Sequence, residues 1–167
     1  MKFANIYLGE DVEIDSSSSI NNVRIGNSVR IAKRCSLYGS PDNLLEIGSG
    51  TYVGMNSVLN GYSAKLKIGN NVSIAQNVYI MVDSGPNASP AMQLIYPIER
   101  KSVVIGNNVW IGTGSLIMPG VTLGDFCVVA ANSYVNRSFE AFTIVGGNPA
   151  KVIRVFTLEE KHKLLGE

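Results

Sequence analysis

The sequence predicts an all-β fold, a three-sided parallel β-helix of about six coils with a short C-terminal helix. Three observations predict it. Aliphatic residues recur every six positions, the hexads sort into groups of three, and every break in the period falls after a third hexad. A fixed period outranks local propensity, because one repeating unit then has to pack against its own copies.

The first coil carries Leu8, Ile14 and Ile20, the second Ile25, Ile31 and Leu37, the third Ile47, Val53 and Leu59, and the fourth Ile68, Ile74 and Ile80. The fifth and sixth run without a slip through Ile105, Ile111, Ile117, Leu123, Val129 and Val135. Four residues after each aliphatic position stands a small or β-branched side chain, as at Val29, Cys35, Ser57, Val78, Ser115 and Cys127, with Arg24, Pro41 and Phe139 as exceptions. In the first two hexads of a group the residue following the aliphatic one is Gly or Ala in eleven of twelve cases; in the third it never is, being Asn21, Tyr38, Asn60, Met81, Met118 or Asn136. Two corners therefore demand a tiny residue and one does not, which makes the unit a triangle of about eighteen residues. Gly26-Asn27, Gly69-Asn70-Asn71 and Gly106-Asn107-Asn108 read as corners that need left-handed backbone. Coils stacked at a strand spacing of roughly 4.8 Å build one continuous apolar column. An antiparallel sandwich would instead alternate at period two.

The expected organisation is one domain over 1–167: the β-helix over 8–139, an inserted loop over 84–102, and an extension with a helix over 140–167. The loop carries Pro86, Met92, Leu94, Ile95 and Tyr96, too apolar for a plain linker, and is expected to fold over a neighbour or an acceptor pocket. Thr157 and Glu160 ahead of Leu164 and Leu165 form a capping-box pattern that opens the last helix.

Composition excludes several functions. Among 167 residues, 14 Lys and Arg against 13 Asp and Glu leave a net charge of +1, which gives no basic surface for nucleic acid. No apolar run reaches a membrane span, and the N-terminus through Asn5 lacks a signal-peptide core, so a cytoplasmic protein is expected. Cys35 and Cys127 would lie about four layers, or roughly 19 Å, apart, beyond disulfide reach. His162 is the one histidine, read as an exposed helix residue, and no metal site is expected.

The run Ile105-Gly-Asn-Asn-Val-Trp110-Ile-Gly-Thr-Gly-Ser-Leu-Ile-Met-Pro119-Gly-Val-Thr-Leu-Gly124, with Val129-Ala-Ala-Asn-Ser and Gly146-Gly-Asn-Pro149-Ala-Lys151-Val-Ile-Arg154, resembles the hexapeptide-repeat acyltransferases. Within them it is most similar to the sugar O-acetyltransferases, among them galactoside, maltose and polysaccharide acetyltransferases. The resemblance implies a left-handed helix and a homotrimer that binds acetyl-CoA in clefts between subunits, with a saccharide or nucleotide sugar as acceptor. Trp110 would border the thioester. The Thr113 and Ala131 amides would bond the pantetheine arm, Asn136 and Arg137 would lie near the nucleotide, and Lys151 and Arg154 would meet phosphates.

The family's general base is a histidine shortly before the long loop. Here Ile80-Met-Val-Asp-Ser-Gly85-Pro86 puts Gly85 or Ser84 in its place, and neither is a base. Asp83 is the replacement the sequence offers, with Asn60 as a possible acceptor contact on the same non-glycine corner. The favoured reading is acetyl transfer to a hydroxyl. The alternatives are N-acyl transfer to an amino sugar, which needs no base once the amine is neutral, and a non-catalytic trimer that binds an acyl-CoA or a partner. A carbonic anhydrase of the same fold needs three metal-binding histidines and is excluded.

Overall fold

In a computed structural model, which describes residues 4–167, three parallel sheets form the sides of a prism. Residues 1–3, part of the N-terminal stretch considered above, lie outside the described residues. The first face is built of β1 (Ile6–Leu8), β4 (Val23–Ile25), β7 (Leu45–Ile47), β10 (Leu66–Ile68), β15 (Val103–Ile105) and β18 (Thr122–Leu123). The second contains β2 (Glu13–Ile14), β5 (Arg30–Ile31), β8 (Tyr52–Val53), β11 (Ser73–Ile74), β16 (Trp110–Ile111) and β19 (Val128–Val129). The third contains β3 (Ser19–Asn21), β6 (Ser36–Tyr38), β9 (Val58–Asn60), β12 (Tyr79–Met81), β17 (Leu116–Ile117) and β20 (Tyr134–Val135).

All eighteen hexad aliphatics fall on these strands, and each face keeps them in register. Leu8, Ile25, Ile47, Ile68, Ile105 and Leu123 are successive partners on the first, and the other faces repeat the pattern from Ile14 to Val129 and from Ile20 to Val135. From Ile25 onward every one of them is at most 3% exposed. Burying each such side chain stabilises the fold by about 1.5–3 kcal/mol. Leu8 stays 49% exposed because no described coil stacks beyond it.

The small residues after the first two hexads have a steric cause rather than the conformational one expected. Gly26, Gly69 and Gly106 do not have positive φ; the left-handed residues are Ser28, Asn71 and Asn108, two positions later. At Gly69 an added Cβ would stand 2.7 Å from the Gly106 carbonyl carbon, so each coil's corner rides directly on the backbone of the next. At the third corner the four-residue rule fails in the first four coils. Arg24 and Pro41 are exposed, and the inward positions belong to Val23, Leu45, Leu66 and Val103, two residues before the next coil's aliphatic.

Every excursion leaves the third corner. The largest is pinned at its root by an antiparallel pair, β13 (Asp83–Ser84) with β14 (Glu99–Arg100), and carries the single turn of α1 (Pro90–Gln93). Its apolar tip lies in the open, with Leu94 85%, Ile95 72% and Tyr96 61% exposed. Beyond residue 139 the stack continues by one strand. There β21 (Thr143–Gly147) pairs in parallel with β19 on the second face, and β22 (Ala150–Val155) folds back antiparallel to it.

The last helix, α2 (Leu158–Leu165), starts in a complete capping box: the Thr157 side chain accepts from the Glu160 N–H, and Glu160 accepts from the Thr157 N–H at 2.8 Å. Arg154 on β22 donates to both Glu160 carboxylate oxygens at 2.7 and 2.9 Å. His162 is exposed, and Cys35 and Cys127 are buried free thiols.

Two outcomes are expected. Gly69→Ala forces a Cβ into rigid backbone and should lower stability by about 1–3 kcal/mol in denaturant unfolding; an unchanged midpoint contradicts the stacking argument. Arg154 and the Thr157 N–H push the Glu160 carboxyl down from 4.5 to about 2. A depressed carboxyl stabilises the folded form above its unfolded value, and that contribution fades as pH falls through the folded one. Carboxyl NMR should therefore show Glu160 titrating near 2, with α2 loosening from β22 between pH 4.5 and 2.

Candidate active site

The first and second corners share one backbone turn but use its N–H groups differently. At the first corner the residue after the small one is Asn27, Ser49, Asn70, Asn107 or Asp125, and each side-chain oxygen accepts the N–H of its counterpart one coil earlier. The rungs run from Glu10 to Asn27 at 3.0 Å, Asn27 to Ser49 at 3.0 Å, Ser49 to Asn70 at 2.8 Å, Asn70 to Asn107 at 2.9 Å and Asn107 to Asp125 at 2.7 Å. At the second corner the equivalent residues are Lys33, Met55, Gln76, Thr113 and Ala131, and among the described residues none of their side chains accepts the N–H of the preceding coil. All five are exposed, and among the described residues their N–H groups make no hydrogen bond. A column of unpaired donors runs down that edge.

Its C-terminal stretch opens into a groove of about 370 Å³ lined by Ala75, Trp110, Gly112, Thr113, Val128 and Ala131. Trp110 is 57% exposed, a flat apolar wall beside the donors. The Thr113 hydroxyl donates to the Gln76 carbonyl at 2.7 Å, and the Thr113 carbonyl accepts from Asn132, so only the amide remains to meet a ligand. The groove therefore brings Trp110, Thr113 and Ala131 together. Arg154 continues the same line, since Trp110, Val128, Ile144 and Arg154 are successive partners across the second face. Three strand spacings put it roughly 14 Å from Trp110 along the groove. Lys151 is exposed on the same strand, opposite Gly146.

Asn136 and Arg137 lie elsewhere. They follow β20 at the third corner, away from the groove of their own chain, and the Arg137 guanidinium sits 5.2 Å from the centre of the Phe139 ring.

The third corner also holds Asp83, and there the two expected residues do meet. The Asn60 side-chain amide donates to Asp83 Oδ1 at 3.1 Å, and its own oxygen accepts from the Tyr62 N–H at 3.0 Å. The Ser63 hydroxyl donates to Asp83 Oδ2. Tyr38, one coil below Asn60 in the same register, stands close enough for burial and then the Asp83 charge to raise its hydroxyl above the usual tyrosine value. Tyr38 is therefore a neutral hydroxyl at working pH. Ser63 and Tyr38 escaped the sequence reading. Tyr38 was visible as a member of the non-glycine series, whereas Ser63 lies in an excursion whose path no repeat specifies. Among the described residues no cluster of His, Cys, Asp and Glu is arranged to hold a metal.

Comparison with known proteins follows this geometry. Residues 102–137 match the family described as bacterial transferase hexapeptide (six repeats). The galactoside O-acetyltransferase of Escherichia coli is 34% identical over 127 residues, which are 75% of this chain and 61% of that protein. The chain spans between 24% and 62% of the length of the curated relatives it matches. Two solved structures superpose on most of it. A variant of AntD, an N-acyltransferase from Bacillus cereus, in complex with dTDP-4-amino-4,6-dideoxyglucose and coenzyme A, is 26% identical, with 96% of this chain and 90% of that one aligned and a TM-score of 0.79. A hexapeptide-repeat acetyltransferase from Vibrio cholerae complexed with acetyl-CoA is 28% identical, over 90% and 71% of the two chains, with a TM-score of 0.64. With eighteen registered hexad positions and a three-sided solenoid, the chain carries the hexapeptide repeat of that family model over residues 102–137 and is similar in sequence and fold to hexapeptide-repeat acetyltransferases.

Proposed function

We propose that the protein transfers an acyl group from acetyl-CoA or a related acyl-CoA to a sugar or saccharide precursor. The observation that carries this reading is the unpaired donor column beside Trp110. A pantetheine arm is a chain of amides, and an edge of free N–H groups, with glycine and alanine allowing close approach, suits its carbonyls. Trp110 would flank the thioester end, the Thr113 and Ala131 amides would hold the arm, and Arg154 with Lys151 would face the phosphates. Arg154 would have to share its guanidinium with Glu160. Bound there, acetyl-CoA supplies an activated acyl thioester. A cytoplasmic activity is part of this reading, because acyl-CoA is the co-substrate it uses. No described helix is long and apolar enough to cross a membrane.

One chain does not complete the site. The groove lies between the second face and the second corner, while Asp83, Asn60, Asn136 and Arg137 lie at the third corner, across the width of the third face. A ring of three protomers would set the third corner of one against the second face of the next and so join acceptor and thioester. The exposed apolar tip at Leu94, Ile95 and Tyr96, together with Ile153 at 63% and Leu158 at 74% exposure, supports such contacts. The protein partner is thus two further copies of this chain. The acceptor is a saccharide or nucleotide sugar, the class that AntD is named with.

Calorimetry with coenzyme A tests the reading. Ala131 precedes Asn132, whose φ is 56°, at the turn position where proline fits, so Ala131→Pro deletes the donor without opposing the turn. The wild type should bind coenzyme A and the variant about tenfold more weakly, the equivalent of one hydrogen bond of about 1.4 kcal/mol. Absence of binding to the wild type at millimolar coenzyme A overturns the proposal.

A further inference from the structure

We infer that α2 is a latch at the end of the cofactor groove: Glu160 and a phosphate of coenzyme A compete for Arg154, so coenzyme A binds at the expense of the docked helix. The inference rests on the acyl-transfer reading above. It starts from two cations on β22 that are held in different states. A register shift between Ile144 and Val145 sets Lys151 and Arg154 opposite Gly146 and Ile144, two residues apart on one face of β21. That spacing is roughly 7 Å along the strand, on the side that carries Trp110. Among the described residues Lys151 has no carboxylate within 4.0 Å, so its charge is open to a ligand. Arg154 is already engaged: its Nη1 donates to Glu160 Oε2 at 2.7 Å and its Nη2 to Oε1 at 2.9 Å.

That engagement conflicts with phosphate binding. The two terminal nitrogens form the edge that a phosphate grips in the same bidentate manner as a carboxylate. A phosphate brought to this edge with Glu160 still in place would stand beside a second anion, so the guanidinium serves one or the other. The present partner is weakly held, because the pair is open to solvent and such pairs contribute little to stability. A phosphate carries more charge and more acceptor oxygens, and Lys151 adds a second cation to it.

The helix has little else to hold it. None of the α2 residues is buried, and Leu158, Leu164 and Leu165 all face solvent. Its polar ties to the prism are the Arg154 pair and the Lys161 ammonium, 5.4 Å from the centre of the Phe142 ring. When a phosphate takes Arg154, Glu160 keeps the Thr157 N–H and the capping box survives. An eight-residue helix without docking is nevertheless marginal in water and frays. Coupling between two sites is reciprocal, so whatever weakens α2 docking strengthens coenzyme A binding by the same factor.

Calorimetry on the full chain tests this with coenzyme A and with pantetheine, which has the amide arm and no phosphate. Glu160→Gln keeps a side chain that suits the capping box and removes the charge. It should tighten coenzyme A binding about threefold and leave pantetheine binding unchanged. Arg154→Met should weaken coenzyme A binding, and in the double variant Glu160→Gln should bring no gain. In the wild type, saturating coenzyme A should speed hydrogen exchange of the amides over 161–165 at least about threefold, whereas pantetheine should not. Weaker or unchanged coenzyme A binding by Glu160→Gln, an equal gain for pantetheine, or α2 exchange that coenzyme A leaves unchanged or slows overturns the inference. Wild-type binding separates the failures. If the wild type binds coenzyme A and these effects are missing, only the latch falls; if it does not bind at millimolar coenzyme A, the acyl-transfer reading falls and the latch with it.

Discussion

Backbone stacking in strict register is the constraint on which the rest of the molecule depends. Each coil contributes three strands of two or three residues, far too short to persist alone, and each inward aliphatic is covered only because the same position recurs one layer above and below. Ile68 is buried by Ile47 and Ile105, its partners on either side in the first sheet. The same requirement removes side chains at two corners, where the backbone of one coil rests on the next, and leaves the third corner free to carry insertions. Variation in loop length at the third corner therefore costs the core nothing.

The two tight corners show how one backbone geometry acquires opposite roles. Where Asn, Ser or Asp follows the small residue, the amide of the preceding coil is consumed and the edge becomes an internal strut. Where Met, Gln, Thr or Ala follows, the amide is left to the outside. The open donors of the second corner thus arise because no side chain accepts from them, beside a tryptophan in the adjoining sheet. A separate polar cluster is assembled at the one corner where long excursions can bring Ser63 and Asp83 to Asn60.

Much of this was legible in the residues. The six coils, their three faces and the exit of loops from one edge follow from counting aliphatics and noting where Gly and Ala are obligatory, and the structure keeps all of these positions. The groove residues Trp110, Thr113 and Ala131 came from the resemblance, and they do share one surface. Other features were not legible, for physical reasons. Gly69 and Asn71 play different parts in one corner, one avoiding a clash and the other adopting the left-handed turn, and composition does not separate them. The inward roles of Val23 and Leu45 slip relative to the count of four because the third corner has no fixed length. Ser63 could not be paired with Asp83 beforehand, since both lie where the period is interrupted, and Asn136 with Arg137 fell on a different corner from the groove because sequence distance says little about direction around a prism.

The antiparallel return of β22 on β21 bears on how such a rod ends. A parallel solenoid carries at its terminus a ready template for one more coil, whether from its own chain or from another molecule, and such growth has no inherent limit. Here the last parallel strand is occupied by a segment running the other way, anchored in turn by Arg154 to the helix that follows. That reversal acts as a chain terminator. On the second face it offers an incoming coil the wrong polarity, so parallel stacking cannot continue along that side of the prism.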